Sequence, residues 1–273
     1  MSLEQRVPMT NQDVAIPFKW YDCFCSQSMF SRDSMKGYTA GFERCCMIFN
    51  LAAVHSQIAA GQNIHDDDGL RTAAKSFQAA AGMFEYVKVN LPSFYSESPT
   101  WDMCSECLTA FSEIMLAQAQ ESFFIKAEQD AMKAGVVAKL ANQAASFYND
   151  ALKTVSLSSI KPYMPREWAS TVSFKAGLME AYAEYYRGVA AGEEQKYGEQ
   201  IARFTSLPTI GFAVLAKKTP VQLPLSGQAP KDRFTALVPM AVHSALAAAE
   251  AVRQTMISVE IGRLREASDL CNR

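Results

Sequence analysis

The chain has 273 residues, 49% hydrophobic and 20% charged, with a formal net charge of -2. Such a chain buries a sizeable core, which excludes wholesale disorder, and its charge balance gives no global basic field to draw it to nucleic acid. Seven cysteines, an odd number in a chain too long to need covalent staples, read as reduced thiols of a cytoplasmic protein.

Met1 to Val14 is polar and has no apolar core of the kind a secretory signal needs. No apolar run approaches the ~20 residues that span a bilayer. From Pro8 to Phe30 the chain reads as its one strand-like region, because Val14, Ile16, Phe18 and Trp20 alternate with other residues. Pro17 confines that strand to an edge or to a short run.

Beyond it the period is helical. Ser34 to Gln62 reads as one helix, with Phe42, Cys45, Cys46, Phe49 and Ala52 on its apolar face. Asn63 to Gly69 is a polar turn in which Asp67 or Asp68 is the expected cap of the next helix, which runs to about Asn90. A third helical region starts near Asp102 and passes Lys126. A fourth covers about Ala131 to Thr154, and a fifth about Glu167 to Phe204. Leu207 to Pro230 is rich in proline, glycine and serine and reads as an extended surface segment, after which helix returns from about Phe234. Long helices joined by short turns predict an all-α, elongated stack of helical hairpins like a tetratricopeptide solenoid, with a short N-terminal β segment.

Several runs carry a family resemblance in their order and spacing: FERCCMIFNLAAVHSQIAA over 42–60, DGL over 68–70, AAGMF over 80–84, MLAQAQE over 115–121, AKLANQAA over 138–145, TPV over 219–221 and LVP over 237–239. Together they resemble the Bro1 domain family, most closely its Alix type. On that resemblance residues 14–236 form a partial Bro1 domain, and residues 237–273 resemble the first helix of the V-shaped domain that follows it. The resemblance also implies a longer segment ahead of Ile16, and a further helical hairpin between Arg203 and Ile210, that this chain lacks.

What the resemblance implies for function is a non-enzymatic adaptor of the ESCRT pathway, cytoplasmic and peripheral at endosomes. Its partner would be the amphipathic C-terminal helix of a Snf7-type ESCRT-III subunit, with no nucleic acid, small-molecule substrate, metal or cofactor. The family's patch phenylalanine falls on Phe123, its two aliphatic positions on Val136 and Leu140, and its polar neighbours on Asp67, Arg71 and Lys126. The Val136 side chain is smaller than its Alix counterpart, and Arg71 keeps a positive charge where Alix has lysine. The alternative expectation is a helical interaction scaffold that has lost ESCRT-III binding.

The residues give this patch separate support. On a wheel of about 100° per residue, Val136, Val137, Leu140, Ala141, Ala144, Phe147, Tyr148 and Leu152 fill roughly half the circumference. A surface helix needs an apolar stripe only somewhat wider than ~100° to bury one face. Lys133 lies at the Val136 and Leu140 edge and is costly to bury unpaired, so this edge is expected to reach solvent.

Other chemistry finds little support in sequence. Cys104 and Cys107 form a CxxC, but a redox or zinc site needs a strand–helix context or a second ligand pair, and the sequence displays neither. No phosphate-binding glycine loop, nucleophile elbow or zinc-protease helix is present. The basic spots at Lys161 to Arg166 and Lys217-Lys218 are too small to hold a protein on a membrane.

Overall fold

The computed structural model describes residues 16–24 and 34–204. The expected surface segment from Leu207, the helix from Phe234 and the boundary at 236/237 lie outside the described residues.

Strand β1, Phe18–Tyr21, pairs antiparallel with β2, Ser34–Gly37, and sets Trp20 opposite Met35. Both of those side chains are buried, while Lys19, Tyr21, Ser34 and Lys36 face outward. The alternation read around Phe18 and Trp20 is therefore present. The expected single helix from Ser34 is corrected: its first four residues are β2. Their own alternation buries Met35 beside Trp20, and helix starts only after Thr39, whose Oγ1 accepts from the Phe42 amide at 3.1 Å.

Five long helices follow: α1, Ala40–Ala60; α2, Asp67–Asn90; α3, Ser105–Gln129; α4, Ala134–Val155; and α5, Arg166–Glu193. Their backbones pack in chain order, each chiefly against the helix before and the helix after. This is the architecture expected of a helical-hairpin stack, in which every unit buries its apolar face against neighbours.

The start of α2 differs from the sequence expectation. Its N-cap is Asp66, whose Oδ2 accepts from the Gly69 amide at 3.0 Å, and neither Asp67 nor Asp68 takes that role. Gly69 is needed there because a Cβ would lie 2.2 Å from the Asn63 carbonyl oxygen. The third helical region begins as a 3-10 turn, Trp101–Met103, before α3 takes over with Cys104 as its cap. The fifth helix does not run through to Phe204. It breaks after Glu193, where Gln195 adopts a left-handed φ of 60°, and a further helical segment covers 197–204. A polar Glu-Glu-Gln-Lys run at 193–196 leaves no apolar side chain to hold the helix through that point.

The core runs along the whole stack. Trp20, Phe49, Phe84 and Phe111 join in edge-to-face and tilted ring contacts at 5.0 to 6.2 Å. Helix α3 lies in the middle and is buried on most sides. Side chains of α5 reach past α4 to meet it: Phe124 packs on Tyr182, and Lys175 pairs with Glu121 at 3.0 Å. The β pair is tied to the start of α3 through buried Asp102, whose Oδ2 accepts from the Trp20 indole at 3.0 Å and from the Cys23 amide at 3.1 Å. Burial raises the Asp102 carboxyl above its ordinary range.

Candidate functional site

Helix α3 offers solvent one narrow line, because α2 and α4 cover its flanks. Leu116, Gln120, Phe123 and Lys126 recur along that line at helical spacing. Phe123 is 41% exposed, a costly state for a phenylalanine on an otherwise buried helix. Phe124, the next residue, is fully buried, as expected of a side chain turned about 100° away.

A tight turn then reverses the chain. Ala131 takes a left-handed φ of 49° in it, and α4 begins at Ala134, three residues later than the period in the sequence indicates. The return brings α4 antiparallel beside α3. The Gln120 Nε2 donates to the Leu140 carbonyl at 3.4 Å, which puts Leu140 within a turn of Phe123 across the hairpin. Val136 is 39% exposed, and Leu140 is half-buried against the core. Val137, Ala141, Ala144 and Tyr148 occupy the buried side of α4, and Lys133 is exposed. The broad apolar arc read from the sequence thus divides into a buried half and an edge that meets water.

The polar residues close one end of this strip. The Lys126 ammonium pairs with Asp67 at the start of α2 and with Asp130 just past α3. Asp67 also pairs with Arg71 at 2.9 Å. Because Asp66 caps α2, the neighbouring carboxylate of Asp67 is left for Lys126. The same junction is held by the Gln129 side-chain amide, which donates to the Ile64 carbonyl at 2.8 Å. The hydrogen bond from Lys126 holds the Asp67 carboxyl below the usual carboxylate range, and the hydrogen bonds to Asp130 and Asp67 raise the Lys126 ammonium. All six residues singled out from the sequence therefore fall on one surface, from the first turn of α2 across α3 to the first turns of α4.

Sequence reasoning missed three parts of this surface. Leu116, 39% exposed, continues the α3 line, and Met132, 49% exposed, stands in the turn beside Val136. Gln120 fixes the register of the two helices. None carried a signal in the sequence: α3 mixes polar and apolar residues on every face, with Gln118, Glu121 and Ser122 buried, so its one wet line is set by its neighbours, and Met132 lies in a turn.

Other parts of the described residues suit chemistry less well. Asp22, Cys23 and Asp102 bring three potential ligand atoms within 4.8 Å of one another, but Asp102 Oδ2 is engaged by Trp20 and by the Cys23 amide as an anchor. An apolar cavity of about 30 Å³ walled by Phe24, Phe49, Phe84, Phe111 and Trp168 is too small for a metabolite. No helix among the described residues is long and apolar enough to cross a membrane.

A chain-ordered stack of long helices with an apolar strip beside surface ion pairs is a helical-hairpin scaffold. Comparison with known proteins agrees with this frame and narrows it. The BRO1-like domain profile matches residues 1–206. The mouse programmed cell death 6-interacting protein is 34% identical over 321 residues, covering 99% of this chain and 36% of that protein. The vacuolar protein-sorting protein BRO1 of Gibberella zeae is 33% identical over 232 residues, covering 84% of this chain and 22% of its own length. Among solved structures, an ALIX BRO1 CHMP4C complex superposes with a TM-score of 0.76 at 35% identity, over 91% of this chain and 66% of that one.

The chain belongs to the BRO1-like domain family. It spans little more than a third of the length of the mouse relative. That alignment runs over 321 positions against 273 residues here, so at least 48 positions of the relative have no counterpart in this chain.

Proposed function

We propose that this chain is a non-catalytic adaptor whose strip of Phe123, Val136 and Leu140, rimmed by Lys126, Asp67 and Arg71, receives the amphipathic C-terminal helix of a Snf7-type ESCRT-III subunit. The observation that carries the reading is the exposure of two large apolar side chains, Phe123 and Val136, on the two helices of one hairpin. The likeness to an Alix Bro1 domain solved in complex with CHMP4C supports the choice of partner. Relatives with vacuolar protein-sorting names support a place at endosomes, reached from the cytoplasm and peripheral to the membrane.

The energetics suit reversible recruitment. Fully burying a large apolar side chain is worth about 1.5–3 kcal/mol, and only some two-fifths of Phe123 and Val136 remains to be covered, so each contributes about 1 kcal/mol. Leu116 and Met132 extend the strip and add contacts of similar size. Apolar surface on the incoming helix is covered at the same time, while the loss of translational and rotational freedom opposes both gains, so weak, reversible binding is the expected outcome. An amphipathic helix laid into a groove between helices is an established mode of peptide recognition.

The test is binding of the isolated CHMP4C C-terminal helix to the full chain, with circular dichroism as the control for folding. Leu140→Asp is expected to abolish binding while the helical signal persists. A folded Leu140→Asp protein that binds like the parent would remove the site. A parent chain that fails to bind the helix would leave a scaffold without ESCRT-III binding.

A further inference from the structure

The CxxC set aside in the sequence acquires in the structure the helical context it lacked. Cys104 is the N-cap of α3, a helix of 25 residues. Its backbone is extended, with φ -71° and ψ 155°, and its Sγ accepts from the Cys107 amide at 3.4 Å. It thereby does what a serine or aspartate commonly does at a helix start. Cys107 stands at the third helical position, where the spacing returns its side chain to the face of Cys104. Cys104 is half-buried and Cys107 fully buried, so one sulfur reaches solvent and the other waits behind it.

We propose that Cys104 and Cys107 are a reversible dithiol–disulfide site, with Cys104 as the attacking thiol, Cys107 as the resolving thiol, and a small-molecule disulfide such as oxidised glutathione as the oxidant. The Cys104 thiolate attacks one sulfur of the glutathione disulfide. The S–S bond breaks, and one glutathione leaves and takes a proton from water. Cys107 then gives its proton to water, and its sulfur attacks the Cys104 sulfur of the mixed disulfide. The second glutathione leaves as a thiol. Two protein thiols are oxidised by two electrons, and one disulfide is reduced to two thiols.

Two further features favour this order of attack. Unsatisfied amides and the positive end of a long helix stabilise a thiolate at the N-cap. Polar contact with Cys107 also holds the Cys104 thiol below its ordinary range, whereas the neighbouring Cys104 sulfur and burial push Cys107 well above it. Burial pushes the thiols of Cys23 and Cys46 up as well, so neither competes as a nucleophile.

The experiment uses the full chain in oxidised glutathione, followed by rapid alkylation and peptide mapping by mass spectrometry. The parent is expected to lose two hydrogen atoms, mapped to a Cys104–Cys107 bond. Cys107→Ser is expected to accumulate one glutathione on Cys104, and Cys104→Ser none on Cys107. In the reduced parent, Cys104 is expected to alkylate on the order of tenfold faster than Cys107. Circular dichroism checks that each variant is folded. The proposal is overturned if Cys104 in folded Cys107→Ser stays a free thiol, or if the parent's disulfide maps to another pair of cysteines.

Discussion

Glu121 and Lys126 lie five residues apart on the same helix, and each anchors a lysine–carboxylate pair, yet the two pairs live in different media. The Glu121–Lys175 pair is 4% exposed on both sides, and the Tyr148 hydroxyl donates to the same carboxylate. The Lys126–Asp67 pair is 27% and 46% exposed. In the first, two charges were taken out of water, and each is tolerated only while the other is present. In the second, water solvates both charges, so their attraction adds little to stability and they remain available to a partner. Charge pairing on α3 thus holds the stack together at one turn and borders the proposed binding strip at another. Burial separates the two, and the residue types do not.

The strongest way to break this comparison is Lys175→Met, which strands the Glu121 carboxylate. It is expected to cost about 3–5 kcal/mol, read by denaturant unfolding. Adding Glu121→Leu should recover most of that loss, since an apolar pair of similar volume is often as stable as the ion pair. A double variant no better than Lys175→Met would show that Tyr148 depends on Glu121 for its own hydrogen bond.

Phe123→Ala sharpens the other side. It is expected to weaken binding of the ESCRT-III helix by about 1 kcal/mol, roughly fivefold, measured by fluorescence anisotropy. Because some three-fifths of Phe123 is already covered in the free chain, the change should also cost about 1 kcal/mol of stability, so binding is compared at full folding. Lys126→Met is expected to leave stability nearly unchanged and to reduce the salt dependence of binding.

The smallest expected effect is that of pH. The Asp67 carboxyl lies below its ordinary value, so its contribution is present above the ordinary carboxylate range and is lost only as pH falls through the lowered value. Lys126 is raised, so its contribution is present below the ordinary lysine value and is lost as pH rises through the raised one. Binding measured from about pH 5 to about pH 8 should therefore be flat with respect to this cluster.

Much of the frame was legible in the sequence because helix period and turn chemistry are local. The spans of α2 and α3, the division of α4 into apolar and polar sides, and the pairing edge at Phe18 and Trp20 all follow from spacing alone. What sequence could not supply was decided by contacts distant in the chain. Ser34 to Gly37 reads as the start of a helix until Met35 is set opposite Trp20. Asp67 and Asp68 read as the caps until Asn63 fixes where the turn closes over Gly69 and gives that role to Asp66. Leu116 is indistinguishable from the core residues around it until α2 and α4 leave that one line open. Likewise, Cys104 and Cys107 carry no visible context until the 3-10 turn at Trp101–Met103 places the first of them at a helix start.

The chain-ordered packing has a mechanical consequence. A ligand seated from the first turn of α2 to the first turns of α4 straddles three successive layers, whereas the backbones otherwise pack chiefly between adjacent layers. Occupancy would staple the middle of the spring and leave its ends to breathe. Amide exchange should then slow in α2, α3 and α4 together, while α1 and α5 keep the rates of the free molecule.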